Sequence, residues 1–145
     1  MAAVAWVGGI FFAYMALRPA ANETLDPPLR LRLWQSAYTH FFPWVWVMIA
    51  LLLITGYVDL FGRLGGFANE SLYLKLMHGI GLIMVAAFAY LYFGLYRRLS
   101  LAVASNDTQA AAAVMAKMRP VMATNLTLGL LVTAIGIAGP ALAAV

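Results

Sequence analysis

The chain carries one histidine, His78, inside an apolar stretch, YLKLMHGIGLIM (Tyr73–Met84). It lies about six residues, or roughly 9 Å, into a helix of lipid-spanning character, where an ionisable group is costly without a partner. Imidazole is the commonest metal ligand among side chains. Gly79 and Gly81 flank it, and Gly8, Gly9 and Gly136 lie on other apolar segments at a depth expected to match. Small residues there leave room for a flat ligand, and a haem in a helical bundle needs an axial histidine, apolar walls and an outlet for its propionates. Lys75 and Arg63, at the same end, would suit those propionates as charge-assisted donors. Met77 adjoins His78 and Met84 follows. Thioether plus imidazole is a soft donor set for Cu(I), although Met77 points about 100° and Met84 about 120° away from His78 around the helix. A Cu(I) site therefore needs methionines from other helices.

Each of these residues also has an ordinary packing role. Glycines let helices approach closely, methionine fills gaps in apolar bundles, Lys75 can snorkel to the interface, and Asp59 with Arg63 forms an i,i+4 pair. The second histidine, His40, opens a different apolar segment at its opposite end, leaving on the order of 20 Å between the two imidazoles across a ~30 Å bilayer core. Two axial ligands of one iron are only ~4 Å apart, by analogy with metal–imidazole distances. Beside Phe41, Phe42, Trp44 and Trp46, His40 belongs to an interfacial aromatic belt.

Other chemistry is excluded by residue type. The sequence has no cysteine, which removes disulfides and thiolate sites. It has no paired intramembrane carboxylates, no zinc-type histidine spacing and no phosphate loop. No catalytic group is assigned, and a reaction here would have to be carried by a cofactor.

The elements that must position these residues follow from composition. Of 145 residues, 65% are hydrophobic and 10% charged, with a mean hydropathy of +0.90; this is the composition of an integral membrane protein. A ~30 Å core needs about 20 helical residues, and four spans are predicted, roughly 1–17, 41–62, 72–96 and 120–142. The fold class is all-α, a single four-helix bundle over 1–145, with short interfacial helices in two loops. One is predicted from Asp26-Pro27-Pro28 through Tyr38, the other from Thr108 to Met118, ended or kinked at Pro120. The polar run Ser105–Thr108 marks the break before it.

The net charge of +4 reads as topology rather than nucleic-acid binding. Arg18, Arg30, Arg32, Arg97, Arg98, Lys117 and Arg119 fall on one side and Arg63 and Lys75 on the other, seven of the nine basic residues against two. Both termini are therefore expected outside the cytoplasm. The first apolar run starts at Met1 with no polar flank and measures only about 25 Å, so the native helix is expected to extend upstream.

Four stretches carry a family resemblance: AVAWVGGIFFAYMALRPA, FFPWVWVMIALLLITGY, LYLKLMHGIGLIM and YRRLSLAVASND. Together they resemble the copper-resistance D (CopD) type of four-helix membrane domain, which is similar in turn to the membrane protoporphyrinogen oxidase of the HemJ type. The resemblance implies a bundle associated with copper handling, and with b-type haem in related branches. In such proteins a first-helix histidine upstream of the tryptophan and glycine pair commonly accompanies the third-helix histidine. His78 matches the latter; Trp6, Gly8 and Gly9 are preceded only by Met1–Ala5, so the former has no counterpart.

Three readings stand. The first is a haem b-binding redox protein of the bacterial inner membrane, serving an extracytoplasmic redox partner or oxidising a small substrate. The second is a copper transport or resistance protein. The third is a non-catalytic subunit of a homo-oligomer or larger membrane complex. The lipid bilayer is the common partner, and nucleic acid is not one.

Overall fold

A computed structural model describes residues 2–62 and 72–143, with side chains described to residue 138. Within them the chain forms four apolar helical rods. The first joins α1 (Ala2–Phe12) to α2 (Arg18–Thr24) through a π turn at Ala13–Leu17. The second is α3 (Pro27–Gly62). The third joins α4 (Leu72–Tyr90) to α5 (Arg97–Ala104) through a π turn at Leu91–Tyr96, and the fourth is α6 (Thr108–Ala143). All four are long and apolar enough to cross a membrane.

The expected interfacial helices are not separate elements. The Pro27–Tyr38 segment is the first part of α3, and Thr108–Met118 is the first part of α6. Pro43 sits inside α3 and Pro120 inside α6. Each removes one backbone donor, but neighbouring helices hold the segments on either side in line, as is common in membrane bundles. At 1.5 Å per residue, a helix of 36 residues is about 54 Å long and outruns a ~30 Å core by about 24 Å. The first rod likewise runs on past residue 17 to Thr24.

Both short connections lie at one end, here the turn end, opposite the chain termini. Asn106 has a positive φ of 56°. Asp107 N–H donates to the Ala102 carbonyl at 2.9 Å and Asn106 N–H to Val103 at 3.1 Å, a Schellman-type closure of α5. Asp107 Oδ1 then accepts from Ala110 N–H at 2.9 Å and caps α6. Arg32 reaches across from α3 to Asn106 Oδ1 at 2.8 Å, tying α3 to the second connection.

The core is an aromatic stack on α3. Trp34, Tyr38 and Phe42 follow one another at four-residue spacing, with Tyr38 and Phe42 rings 5.0 Å apart and nearly parallel. Phe88, Tyr92 and Tyr96 meet Phe42 edge-on from the third rod. Trp6 of α1 packs on Phe88 at 6.2 Å. Outward, Phe12, Trp44, Ile54, Phe61, Ile83, Phe93 and Ile137 are exposed on the bundle surface, the distribution that acyl chains rather than water would cover. Threonine hydroxyls on these helices bond back to the preceding turn, as Thr55 does to Leu51 at 2.7 Å.

Candidate metal and cofactor centre

His78 is half-buried on α4. Its Nε2 lies 3.4 Å from Tyr57 Oη of α3, and the two rings meet edge to face at 5.4 Å. Tyr57 is in turn stacked on Phe61 at 6.3 Å. The imidazole is thus oriented from the neighbouring helix. Tyr57 was not singled out by sequence, although its place near the end of the second apolar run put it at the right depth.

Around His78 the small residues divide. A Cβ added at Gly79 or Gly81 would meet nothing within 4 Å, so that flank of α4 is open. Gly8 is open too, but Gly8 and Gly9 do not border His78. A Cβ at Gly9 would stand 2.5 Å from the Phe41 ring, and Trp6 is level with Phe88, ten residues or about 15 Å down α4 from His78. The contacts of Trp6 and Val7 set α1 closer to the turn end than matching the apolar runs suggested. Lys75 is exposed one turn before His78. Arg63 lies outside the described residues.

His40 is far from His78, as the depth argument expected. It sits 17 residues before Tyr57 on α3, about 25 Å along the axis. It is exposed, with Nδ1 2.8 Å from the Ser36 carbonyl oxygen on its own helix.

A different set of donors is brought together between helices. On α4, Met77 and Met84 are seven residues apart; on α6, Met115, Met122, Gly129 and Gly136 continue the same spacing. Met77 Cε lies 3.2 Å and its Sδ 3.7 Å from where a Cβ on Gly136 would be, and Met84 Cε lies 3.3 Å from that position on Gly129. Farther along α6, Tyr38 Oη lies 3.3 Å from Met122 Sδ and 3.8 Å from Met115 Sδ. Thioethers therefore occupy successive levels of one seam along α6, Met77 and Met84 reaching it from α4 and Met122 and Met115 turned toward Tyr38 of α3. From Gly136 to Met115 is 21 residues, about 31 Å, the Met115 end reaching past Lys117 and Arg119 to the turn end.

Asn125 stands in the middle of that seam, 2% exposed. Its Nδ2 donates to the Met84 carbonyl at 3.4 Å, while its Oδ1 is buried with no hydrogen-bond partner. Among the described residues no group of three or more His, Cys, Asp or Glu could hold a metal. Soft sulfur, imidazole and amide oxygen are the donors on offer. The heptad spacing of the methionines is visible in the sequence; that the two pairs line one seam is decided by helix pairing.

The family model described as Copper resistance protein D matches residues 35–139, more than half of the chain. The match begins in α3, takes in His78 and ends in α6, covering every methionine of the seam. Comparison with curated proteins and with solved structures gave no match.

Proposed function

Because the chain belongs to the copper resistance protein D family, we propose that this integral membrane protein carries Cu(I) along α6, on the face that meets α4 near the termini and Tyr38 of α3 toward the turn end. The observation that supports this reading is the run of Met77, Met84, Met122 and Met115 at successive levels along α6. Thioethers are neutral soft ligands, so they take and release a monovalent soft cation with no proton exchange. The orphan Oδ1 of Asn125 supplies a dipole midway, where a cation would satisfy it. His78, turned toward Tyr57 of α3 about 100° around the helix from Met77, lies at the same terminus end and serves as the point of capture or release.

The charge bias sets the direction of this seam. With seven basic residues on one side and two on the other, the turn end faces the cytoplasm and the termini face outward from the inner membrane. Reporter fusions at Arg30 and Asp107 should be active only in a cytoplasmic form; a reporter at Asp107 active only outside would reverse the seam.

A second reading rests on one observation, the open flank beside Gly79 and Gly81. It is that of a haem b-binding redox protein with His78 as axial ligand and Lys75 as the propionate partner. A bound haem would supply one-electron chemistry for an extracytoplasmic acceptor or small substrate. The described residues fit one axial imidazole, not two.

One experiment separates the readings: metal content and absorption spectrum of the protein purified in mild detergent, with Cu(I) affinity measured against a chromophoric chelator. The copper reading expects Cu(I) without a Soret band, and at least a tenfold loss of affinity in Met84→Leu/Met122→Leu, whose side chains keep nearly the same volume. His40→Ala should change nothing. Unaltered Cu(I) affinity in the double variant would overturn the seam. A Soret band that disappears in His78→Ala would establish the haem reading instead.

A further inference from the structure

A second polar feature lies apart from His78, at the turn end. A cavity of about 120 Å³ opens there between the π turn at Ala13–Leu17, α2, α3 and α6. Three arginines line it: Arg18 from α2, Arg30 from α3 and Arg119 from α6, with Tyr14 and Asn22 beside them. No carboxylate is among its lining residues. Three arginines lining one cavity place like charges about it that an anion would offset, and the guanidinium fork matches the oxygen geometry of a phosphate.

Arg30 makes the case specific. Its Nη2 donates to the Leu25 carbonyl at 3.0 Å, which fixes the plane of the group. Its Nε is buried with no hydrogen-bond partner, an uncompensated charged donor of the kind that native structures rarely leave. Arg18 is held over the Tyr14 ring at 5.3 Å, so a second guanidinium is also oriented by the protein. The rest of the lining is apolar, including Leu31, Trp34 and Met122. A charged rim over an apolar floor, on helices that outrun the hydrocarbon core, is suited to a group whose head is anionic and whose body is not.

The geometry points to a binding site for a phosphate oxyanion, held by Arg18, Arg30 and Arg119 at the turn end. The phosphate has two possible sources, the head group of an anionic phospholipid and free inorganic phosphate. The site needs neither copper nor haem, and its test is read without them.

The test uses the full chain in a neutral detergent. In one arm, phosphatidylglycerol is added to the micelles and retained lipid is counted by native mass spectrometry, with phosphatidylcholine as the zwitterionic comparison. In the other, inorganic phosphate is titrated against the thermal midpoint, with chloride at equal ionic strength as reference. Retention of one phosphatidylglycerol per chain, at least tenfold reduced in Arg30→Gln, supports the site with a lipid source. A rise in midpoint with phosphate but not chloride, lost in the same variant, supports it with a soluble source. Arg119→Gln, at an exposed position, gives the same reading should Arg30→Gln fail to fold. Retention and midpoint that are alike for both lipids and both salts, or unchanged in Arg119→Gln and in folded Arg30→Gln, overturn the proposal.

Discussion

Phe42→Ala should lower the stability of the bundle by about 3 kcal/mol, the lower end of the range for truncating a buried aromatic. The ring is 2% exposed, stacked on Tyr38 at 5.0 Å and met edge-on by Phe88 at 5.3 Å and Tyr96 at 5.1 Å. Each such pair contributes about 0.5–1.5 kcal/mol beyond area burial. In lipid the transfer part of the loss shrinks, because acyl chains are as apolar as the core, while the cavity left behind still forfeits its dispersion contacts. That is why the lower end applies. The thermal midpoint in detergent should fall by roughly 6–12 °C. Phe12→Ala, on the exposed face of α1, should leave it nearly unchanged. Equal midpoints for the two variants would show that the stack on α3 is not what holds the rods together.

A second large effect is expected at Gly129. A Cβ there would stand 2.5 Å from Val7 Cγ2 and 3.3 Å from Met84 Cε. Val7 is β-branched and cannot swing its methyl groups away within the helix, so the backbones of α1 and α6 must part. Gly129→Ala should cost about 1–3 kcal/mol and Gly129→Leu more, the usual range for overpacking. The damage should be local to α1. Protease sensitivity of residues before Arg18 should rise, and Trp6 emission should shift as it leaves Phe88. Val7→Ala in the same chain should restore much of the loss in Gly129→Ala, giving a favourable coupling energy between the two sites. Strictly additive effects would mean that the helices do not meet at this glycine.

Much of this architecture is legible in the sequence. Apolar runs long enough to cross a bilayer give the four rods, and Asp26-Pro27 and Ser105–Thr108 mark both described connections. The joins between interfacial and spanning helix are not legible, because Pro43 and Pro120 carry a local breaking signal that packing overrides. Nor is the depth of α1, which depends on where Trp6 and Val7 find Phe88 and Gly129. The site divides in the same way. His78 stands out by type and depth alone. Its partner Tyr57 and the shared seam of Met77, Met84, Met122 and Met115 emerge only when helices are paired. Arg18, Arg30 and Arg119 count in the sequence as topological charges, and only folding shows that they enclose one cavity.

The contact between Val7 and Gly129 also orders the birth of the protein. The third rod (α4 continued by α5) and α6 are neighbours along the chain, closed by a three-residue turn at 105–107, and can pack as a hairpin soon after leaving the insertion machinery. Helix α1 precedes α6 in the chain, and Gly129 is synthesised 122 residues after Val7. At ~5–20 residues per second, that is a wait of about 6–24 s. During that interval Val7, buried in the finished bundle, faces lipid or a helper protein. The contact of α1 with α6 closes late, and a membrane chaperone for this chain would have its substrate at Val7 until then.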